Sequence, residues 1–582
     1  MRFPSLTVLA ERATGVLRRF PWTMAVACVA SAAAMSMVHG KDAESAARLA
    51  MVAMLGIPLS VALTLWAEEH ARSAIWSHVL NAAAIVLLAG FYFAWPGPEQ
   101  KHELIRYAQL SAALHLAVAC VPFLGIAEGG AFWQYNRHLF LGFLRAAIFS
   151  VVLYLGLAIA LVALDRLFGA DIPYEAYGDL LAVTALVFNT WIFLATIPGG
   201  LRQLADDAEY PKVLKVFSQY ILTPLVFVYL VILLAYLVKI LVGGEWPSGW
   251  IGWLVTSVAV AGLLGFLLVH PLRDDKGEGW IRLYARWLFI GLIPAAIVLL
   301  VAFWKRILPY GLTEPRVLGV LLGCWLLAMA TVYTARSRTG IKLIPVSLVV
   351  LLLAVLYGPA SATRLSVGSQ GNRLSRLVSD VNAPDRAREA SAALRFLMDH
   401  QAGGAIATAM GTELPQVEWD SLPHRYERQD SVASRILAGA GIRYESRYTF
   451  NNSEGPFYIS ARGEDVTEVA GYQWLIPLTS MDSQPRYLHD DTLRAIFDPK
   501  TGVLEVRTTR GGLRFDIRGL VHDISLDTLN IRGTVPAELL RVESETRDRG
   551  GSLLLRHVNG ERRGDSLTID HWSGDLLVAP AQ

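Results

Sequence analysis

His115 stands in the middle of LSAALHLAVAC, an apolar stretch, and an imidazole at that depth can carry a proton. Asn81 and Asn189 occupy similar positions in two other apolar runs. Polar groups near a bilayer centre are costly, so these three residues form the candidate intramembrane site, for a proton relay or a solute. The plainer alternative is that each bonds a neighbouring helix or a backbone carbonyl. No intramembrane carboxylate stands opposite His115, which favours the plainer one.

Other constellations fall short of chemistry. Gly564-Asp565-Ser566-Leu567 spells a hydrolase-like motif, but Asp570 and His571 are adjacent and too few residues follow to supply a base in that manner. His489-Asp490-Asp491 lacks the helix-spaced histidines of a metal site and reads as a turn or cap. Asp206–Asp207 and Asp274–Asp275 read as solvated loop charges, and Asp42 with Glu44 lies in a loop too short to wrap a transferase substrate. No phosphate-cradling glycine loop is present. Cys28, Cys120 and Cys324 sit in apolar segments, so neither a disulfide nor a thiolate metal site is available to the C-terminal region. Catalytic residues, cofactors and metals are therefore all expected to be none, and nothing here identifies an enzyme.

The elements that must position these residues are membrane helices. Of 582 residues, 54% are hydrophobic and only 18% charged, with a mean hydropathy of +0.41. A soluble chain would carry nearer about a quarter charged residues. Crossing hydrocarbon takes roughly 20 apolar residues. That ruler gives eleven runs, near 22–38, 48–66, 76–95, 105–125, 140–164, 178–197, 216–242, 249–270, 284–304, 317–334 and 343–360. Trp22, Trp66, Trp76, Trp95, Trp246, Trp250, Trp280 and Trp304 mark their edges, as amphipathic indoles do at headgroup level. Pro58, Pro122, Pro224, Pro294 and Pro345 predict kinks.

Basic residues alternate between loops. Arg2, Arg12, Arg18, Arg19, Arg72, Arg137, Arg202, Lys212, Arg273, Lys276, Arg282, Arg336, Arg338 and Lys342 form the richer set. Short cytoplasmic loops carry that excess, so the N-terminus is expected in the cytoplasm and the C-terminal domain in the periplasm of a bacterial inner membrane. The first run also has the look of a signal peptide, with Arg18–Arg19 before it and Ala32–Ala34 within, but is read as a retained span. A net charge of +2 without a basic face argues against nucleic acid as a partner. Membrane lipids, and an envelope protein or small-molecule ligand, are the expected partners.

From about residue 130 the chain resembles the bacterial membrane family known as domain of unknown function 4153. WQYNRHLFLGFLRA at 133–146, FLATIPGG at 193–200, FSQYILTPLVFVYLVILLAYLVKIL at 217–241 and RILPYGLTEPRVLGVLLGCWLL at 306–327 carry the likeness, in order. IPVSLVVLLLAVLYGPASATRLSVGSQGNRL then leads out of the membrane in the same way. The resemblance implies a membrane architecture and no agreed reaction, so no functional residues come with it.

After Gly358–Pro359 the composition changes. Leu374, Leu377, Val378 and Val381, then Ala390, Leu394, Leu397 and Met398, fall at helical spacing around Asn382-Ala383-Pro384. A short helix at 431–438 should end at Gly439. Alternating segments predict strands at 442–450, 457–463, three within TLRAIFDPKTGVLEVRTTRGGLRFDIRG, and at 526–532, 552–558 and 566–578. The fold expected is a polytopic α-helical membrane protein of about eleven spans with a C-terminal α+β extracytoplasmic domain. Its parts are 1–21 (cytoplasmic segment), 22–360 (helical bundle) and 361–582 (α+β domain). The function expected is envelope binding, sensing or scaffolding through the outer domain. A small-solute or lipid-linked transporter and a membrane-embedded transferase are the alternatives.

Overall fold

The computed structural model describes residues 14–40, 42–70, 73–126, 129–201, 204, 210–243, 250–274, 279–336, 339–411, 426–445, 454–462, 469, 472–479, 486–488, 493–499, 501–508, 511–527, 534–545, 550–563 and 566–580. The chain divides into two compact units, Met1–Asp380 with Ala393–Tyr426, and Val381–Ala392 with Glu427–Gln582.

The first unit is helical. Its helices begin with α1 (Pro21–Val38), α2 (Ala43–Glu69), α3 (Ala74–Ala94), α4 (Lys101–Cys120) and α5 (Gly129–Phe168). Next come α6 (Glu175–Ala195) and α7 (Leu214–Ile240), each carrying one wider π turn, at Val183–Phe188 and Phe217–Leu222. Then follow α8 (Trp250–Val269), α9 (Gly279–Tyr310), α10 (Glu314–Ala335) and α11 (Leu343–Ala354), and after them α12 (Ala362–Ser379), the second half of α13 (Arg386–Asp399), from Ala393 on, and α14 (Gly403–Met410). Among the described residues, 10 helices are long and apolar enough to cross a membrane. Helix α5 extends well beyond the sequence-read run of 140–164. Its added first turns, Ala131–Tyr135, are buried against neighbouring helices instead of facing lipid.

The eleventh run folds as a helix of only 12 residues, about 18 Å long and too short for a hydrocarbon core of about 30 Å. Its path nevertheless follows α4 from end to end. Lys342, just before α11, donates to the carbonyls of Phe123 and Ile126 beyond the α4 C-terminus. Gln109, in α4, donates to the Leu352 carbonyl at 2.9 Å. Past the helix, the Arg106 guanidinium lies 5.6 Å from the Tyr357 ring centroid. Helix and non-helical continuation together therefore traverse the bundle. Helix α12 then lies at the end where α4 and α10 begin, since Gln370 bonds the carbonyls of Tyr310 and Leu312.

Close helix contacts rest on small residues. A side-chain carbon added at Gly319 would run into the Phe303 ring, and one at Gly323 would come 2.8 Å from Leu300. These two glycines, four apart on α10, let it approach α9 as small residues do in lipid, where apolar surface alone gives little drive for association.

The second unit is built mainly of strands, with helix α15 (Tyr426–Ala438) ending just before Gly439. A meander of β3 (Arg486–Leu488), β4 (Leu493–Asp498), β5 (Val503–Thr508) and β6 (Gly511–Asp516) forms a four-stranded sheet. The turn between β4 and β5 needs Gly502, whose φ of +69° suits glycine, and a Cβ there would sit 2.5 Å from the Arg518 Cβ. The other sheet runs β2-β10-β9-β1-β7, from β1 (Glu454–Arg462), β2 (Trp474–Thr479), β7 (Thr534–Pro536), β9 (Gly550–Arg563) and β10 (Ser566–Val578), with β8 (Arg541–Glu545) also on β9. Alternate residues of both sheets point into one core, in which Phe497 of β4 meets the fully buried Trp572 of β10 edge-on at 5.6 Å.

Two sequence expectations shift. The 526–532 strand begins inside helix α16 (Ile517–Asp527), whose Ile517, Val521 and Ile524 lie at helical spacing in the core, while 528–532 lie outside the described residues. Of the 442–450 strand, 442–445 are described and are not a strand, while 446–450 lie outside.

Candidate functional site

The three intramembrane polar residues read from sequence each have separate partners. Asn81, fully buried in α3, donates to Thr64 of α2 at 3.1 Å and to the Ser77 carbonyl at 2.8 Å. Asn189, in α6, accepts from Ser150 of α5 at 3.4 Å. His115 lies on an exposed face of α4 and bonds the Ser111 carbonyl one turn back at 2.8 Å. None of the three bonds another among the described residues.

A different set converges where α4 and α10 begin. Glu314, at the α10 N-terminus, where a carboxylate complements the helix dipole, takes His400 Nε2 on its Oε1 at 2.6 Å. The same imidazole has Nδ1 at 2.7 Å from the Phe396 carbonyl. Side chains of the pair are only 8% and 4% exposed. His400 follows α13 directly, and Gln401 at φ 52° turns the chain. The amides of Gln401 and Ala402 return to the carbonyls of Met398 and Leu397, closing the helix in a Schellman arrangement. Geometry of the turn thus fixes where the imidazole points.

His102, in the first turn of α4, stacks on His400 with ring centroids 4.5 Å apart. Its Nε2 is 3.4 Å from Glu103 Oε1, and Arg106, one turn on, is ion-paired with the same carboxylate. Glu103 is thereby compensated by a guanidinium while nearly buried, as a charge removed from water must be. Beside this cluster, Arg373 of α12 bonds Gln370 at 3.3 Å and lies over the Tyr310 ring. Arg316 bonds the carbonyls of Tyr310 and Gly311. No group of three or more His, Cys, Asp or Glu among the described residues is arranged to hold a metal ion. Chemically, the arrangement can hold residues 393–410 against the helices of the same unit.

The opposite end, where α1 begins, is also tied by polar groups, and here the family-like motifs meet. Arg19 pairs with Glu68 and donates to the carbonyls of Ile197 and Pro198, inside FLATIPGG. Glu69 accepts the Leu201 amide at 2.8 Å. Tyr135 and Asn136, inside WQYNRHLFLGFLRA, bond the carbonyls of Val118 and Ala119 at the α4 C-terminus. Most of these bonds satisfy carbonyls at or just beyond helix ends, and the one to Glu69 satisfies an amide, a structural duty.

In the second unit, Ser573 lies 2.9 Å from His557 Nδ1 on the paired strand. A nucleophile would want a third group to orient that ring. The nearby Asp575 is engaged instead by Arg556 at 2.9 Å. The hydrolase-like Ser566 sits five positions before His571 on the same strand, so about 17 Å separates them. Gly564, Asp565, His489, Asp490, Asp491, Asp206, Asp207 and Asp275 lie outside the described residues.

The helices and sheets define a polytopic helical membrane protein with a C-terminal β unit. The chain belongs to the family described as "Domain of unknown function (DUF4153)", whose model matches residues 14–363. It is 24% identical over 392 residues to an uncharacterised protein of Pasteurella multocida (strain Pm70), covering 66% of this chain and 63% of that relative, less than two thirds of its length. No solved structure matches the chain.

Proposed function

We propose that this is an envelope protein of a bacterial inner membrane that binds or senses an envelope component through its C-terminal β unit, with its N-terminus in the cytoplasm and the β unit in the periplasm. The carrying observation is that the β unit has a closed core of its own around Trp572, Phe497 and Phe515, yet its described polar residues form no complete catalytic set. A folded unit without such a set suits recognition. The distribution of arginine and lysine among the loops supports the sidedness. His115, Asn81 and Asn189, the residues on which the transporter alternative rests, each bond a separate neighbour and are not brought together.

A photo-crosslinking residue placed at Tyr458 or Leu475, 52% and 46% exposed, tests this in the full-length protein in intact cells. A discrete adduct at either position, absent from a lipid-side control at Val86, is the expected result. No adduct, or the same adduct at Val86, would sink the reading. Sidedness is checked by labelling Asp380→Cys with a membrane-impermeant maleimide, which should react in whole cells. Reaction only after lysis would reverse it.

A further inference from the structure

We propose that His400 and Glu314 form a proton-binding site, and that their one shared proton fastens residues 393–410 onto the helical bundle. This inference is independent of the envelope-recognition reading.

Hydrogen-bond roles carry it. The Phe396 carbonyl can only accept, so the imidazole nitrogen 2.7 Å away, Nδ1, bears a hydrogen. The other nitrogen, Nε2, lies 2.6 Å from a carboxylate oxygen. Two lone pairs do not meet at that distance. A further proton therefore sits between them, on the ring or on the carboxyl, and the pair is neutral as a whole. Removing it leaves a nitrogen lone pair against a carboxylate in surroundings almost closed to water, where an uncompensated charge is expensive.

The groups that face this pair are engaged with partners of their own. From α4, Glu103 is compensated by Arg106, and His102 stacks on the His400 ring, where a second positive imidazole would be repelled. From α10 and α12, Arg316 and Arg373 are occupied with the Tyr310 and Gly311 carbonyls and with Gln370. Asp399 precedes the histidine on α13. Beyond α11, the Tyr357 ring is faced by the Arg106 guanidinium. The seated state holds the proton and the released state does not require it. Above the pH at which a released carboxylate would itself take up a proton, seating thus weakens as pH rises.

The test is hydrogen exchange of the full chain in lipid nanodiscs, read as protection factors for the Gly403–Met410 amides from about pH 6 to about pH 9, a range that opens near the ordinary histidine value and extends above it. Protection should fall by up to about tenfold per pH unit, the slope of one linked proton, and by about tenfold or more overall, while α9 amides hold constant. Glu314→Gln should flatten the profile, because a carboxamide can donate to Nε2 without a titratable proton. His400→Gln should do the same and serves if the first variant does not fold. His102→Phe keeps the ring stack and should retain the wild-type slope. A flat wild-type profile, a fall shared equally by α9, or a wild-type slope in Glu314→Gln would overturn the proposal.

Discussion

Gln109 donates to the main-chain oxygen of Leu352 across 243 residues of sequence. Helix α11 stops at Ala354, so the carbonyls of its last turn lack their helical amide partners. In a bilayer no water replaces them. An amide side chain from α4 closes one of these positions.

Gln109→Leu should therefore destabilise the bundle by about 1–3 kcal/mol, the cost of leaving bare a half-buried acceptor that water does not reach in the bilayer. Gln109→Glu should behave similarly, since a carboxylate cannot donate. Thermal unfolding of the detergent-purified chain, followed by scattering or dye binding, measures both. Equal melting temperatures for wild type and Gln109→Leu would contradict the bond's importance.

Gly319→Val should loosen the α9–α10 pair. The added carbon meets the Phe303 ring, and the ring can only leave by disturbing its packing. Overpacking of this kind costs about 1–3 kcal/mol. The double variant Gly319→Val with Phe303→Ala should recover part of the loss, and failure to recover any would point elsewhere for the strain.

At the other end of the bundle, Glu69→Gln and Glu69→Leu should differ. The carboxamide oxygen can still take the Leu201 amide, whereas leucine leaves that amide bare beside a residue only 8% exposed. The expected gap is about 1–3 kcal/mol, with Glu69→Gln the more stable. Proteolysis near Leu201, faster in Glu69→Leu alone, is an independent readout.

Gln401→Gly should stabilise the α13 terminus. Its φ of 52° is a left-handed conformation that glycine adopts without strain. The net gain expected is about 0.5–1 kcal/mol: left-handed strain at a non-glycine residue of about 1–2 kcal/mol, less about 0.5–1 kcal/mol for the extra freedom glycine loses on folding. Gln401→Val should lose at least as much, through its branched Cβ. Both are read by the exchange experiment on Gly403–Met410.

Helix count and strand positions were legible wherever pattern and length agreed. Run 76–95 matches α3, and the 566–578 strand matches β10 to the residue. Alternation also disclosed β4, β5 and β6, because each is buried on one side only. Helix α16 was readable from Ile517, Val521 and Ile524, but the preceding alternation in LRFDIRG masked the change of period. The polar cluster was not legible. His102 and Glu103 sit at the edge of an apolar run, where polar residues are ordinary, and Glu314 and His400 are 86 positions apart. Only the hint of Lys101-His102-Glu103 opening α4 was available beforehand. His115, conspicuous by its depth in sequence, turned out to face outward and bond its own helix.

The brevity of α11 bears on how the chain is assembled. A segment that cannot complete its own main-chain bonding is a poor lodger in bare lipid, and translation delivers it long after α4 has been threaded. Its acceptance into the bilayer should hence await a groove already lined by that earlier helix. Ribosome-stalled intermediates ending near residue 365 should keep this last passage only when Gln109 and Arg106 are in place upstream.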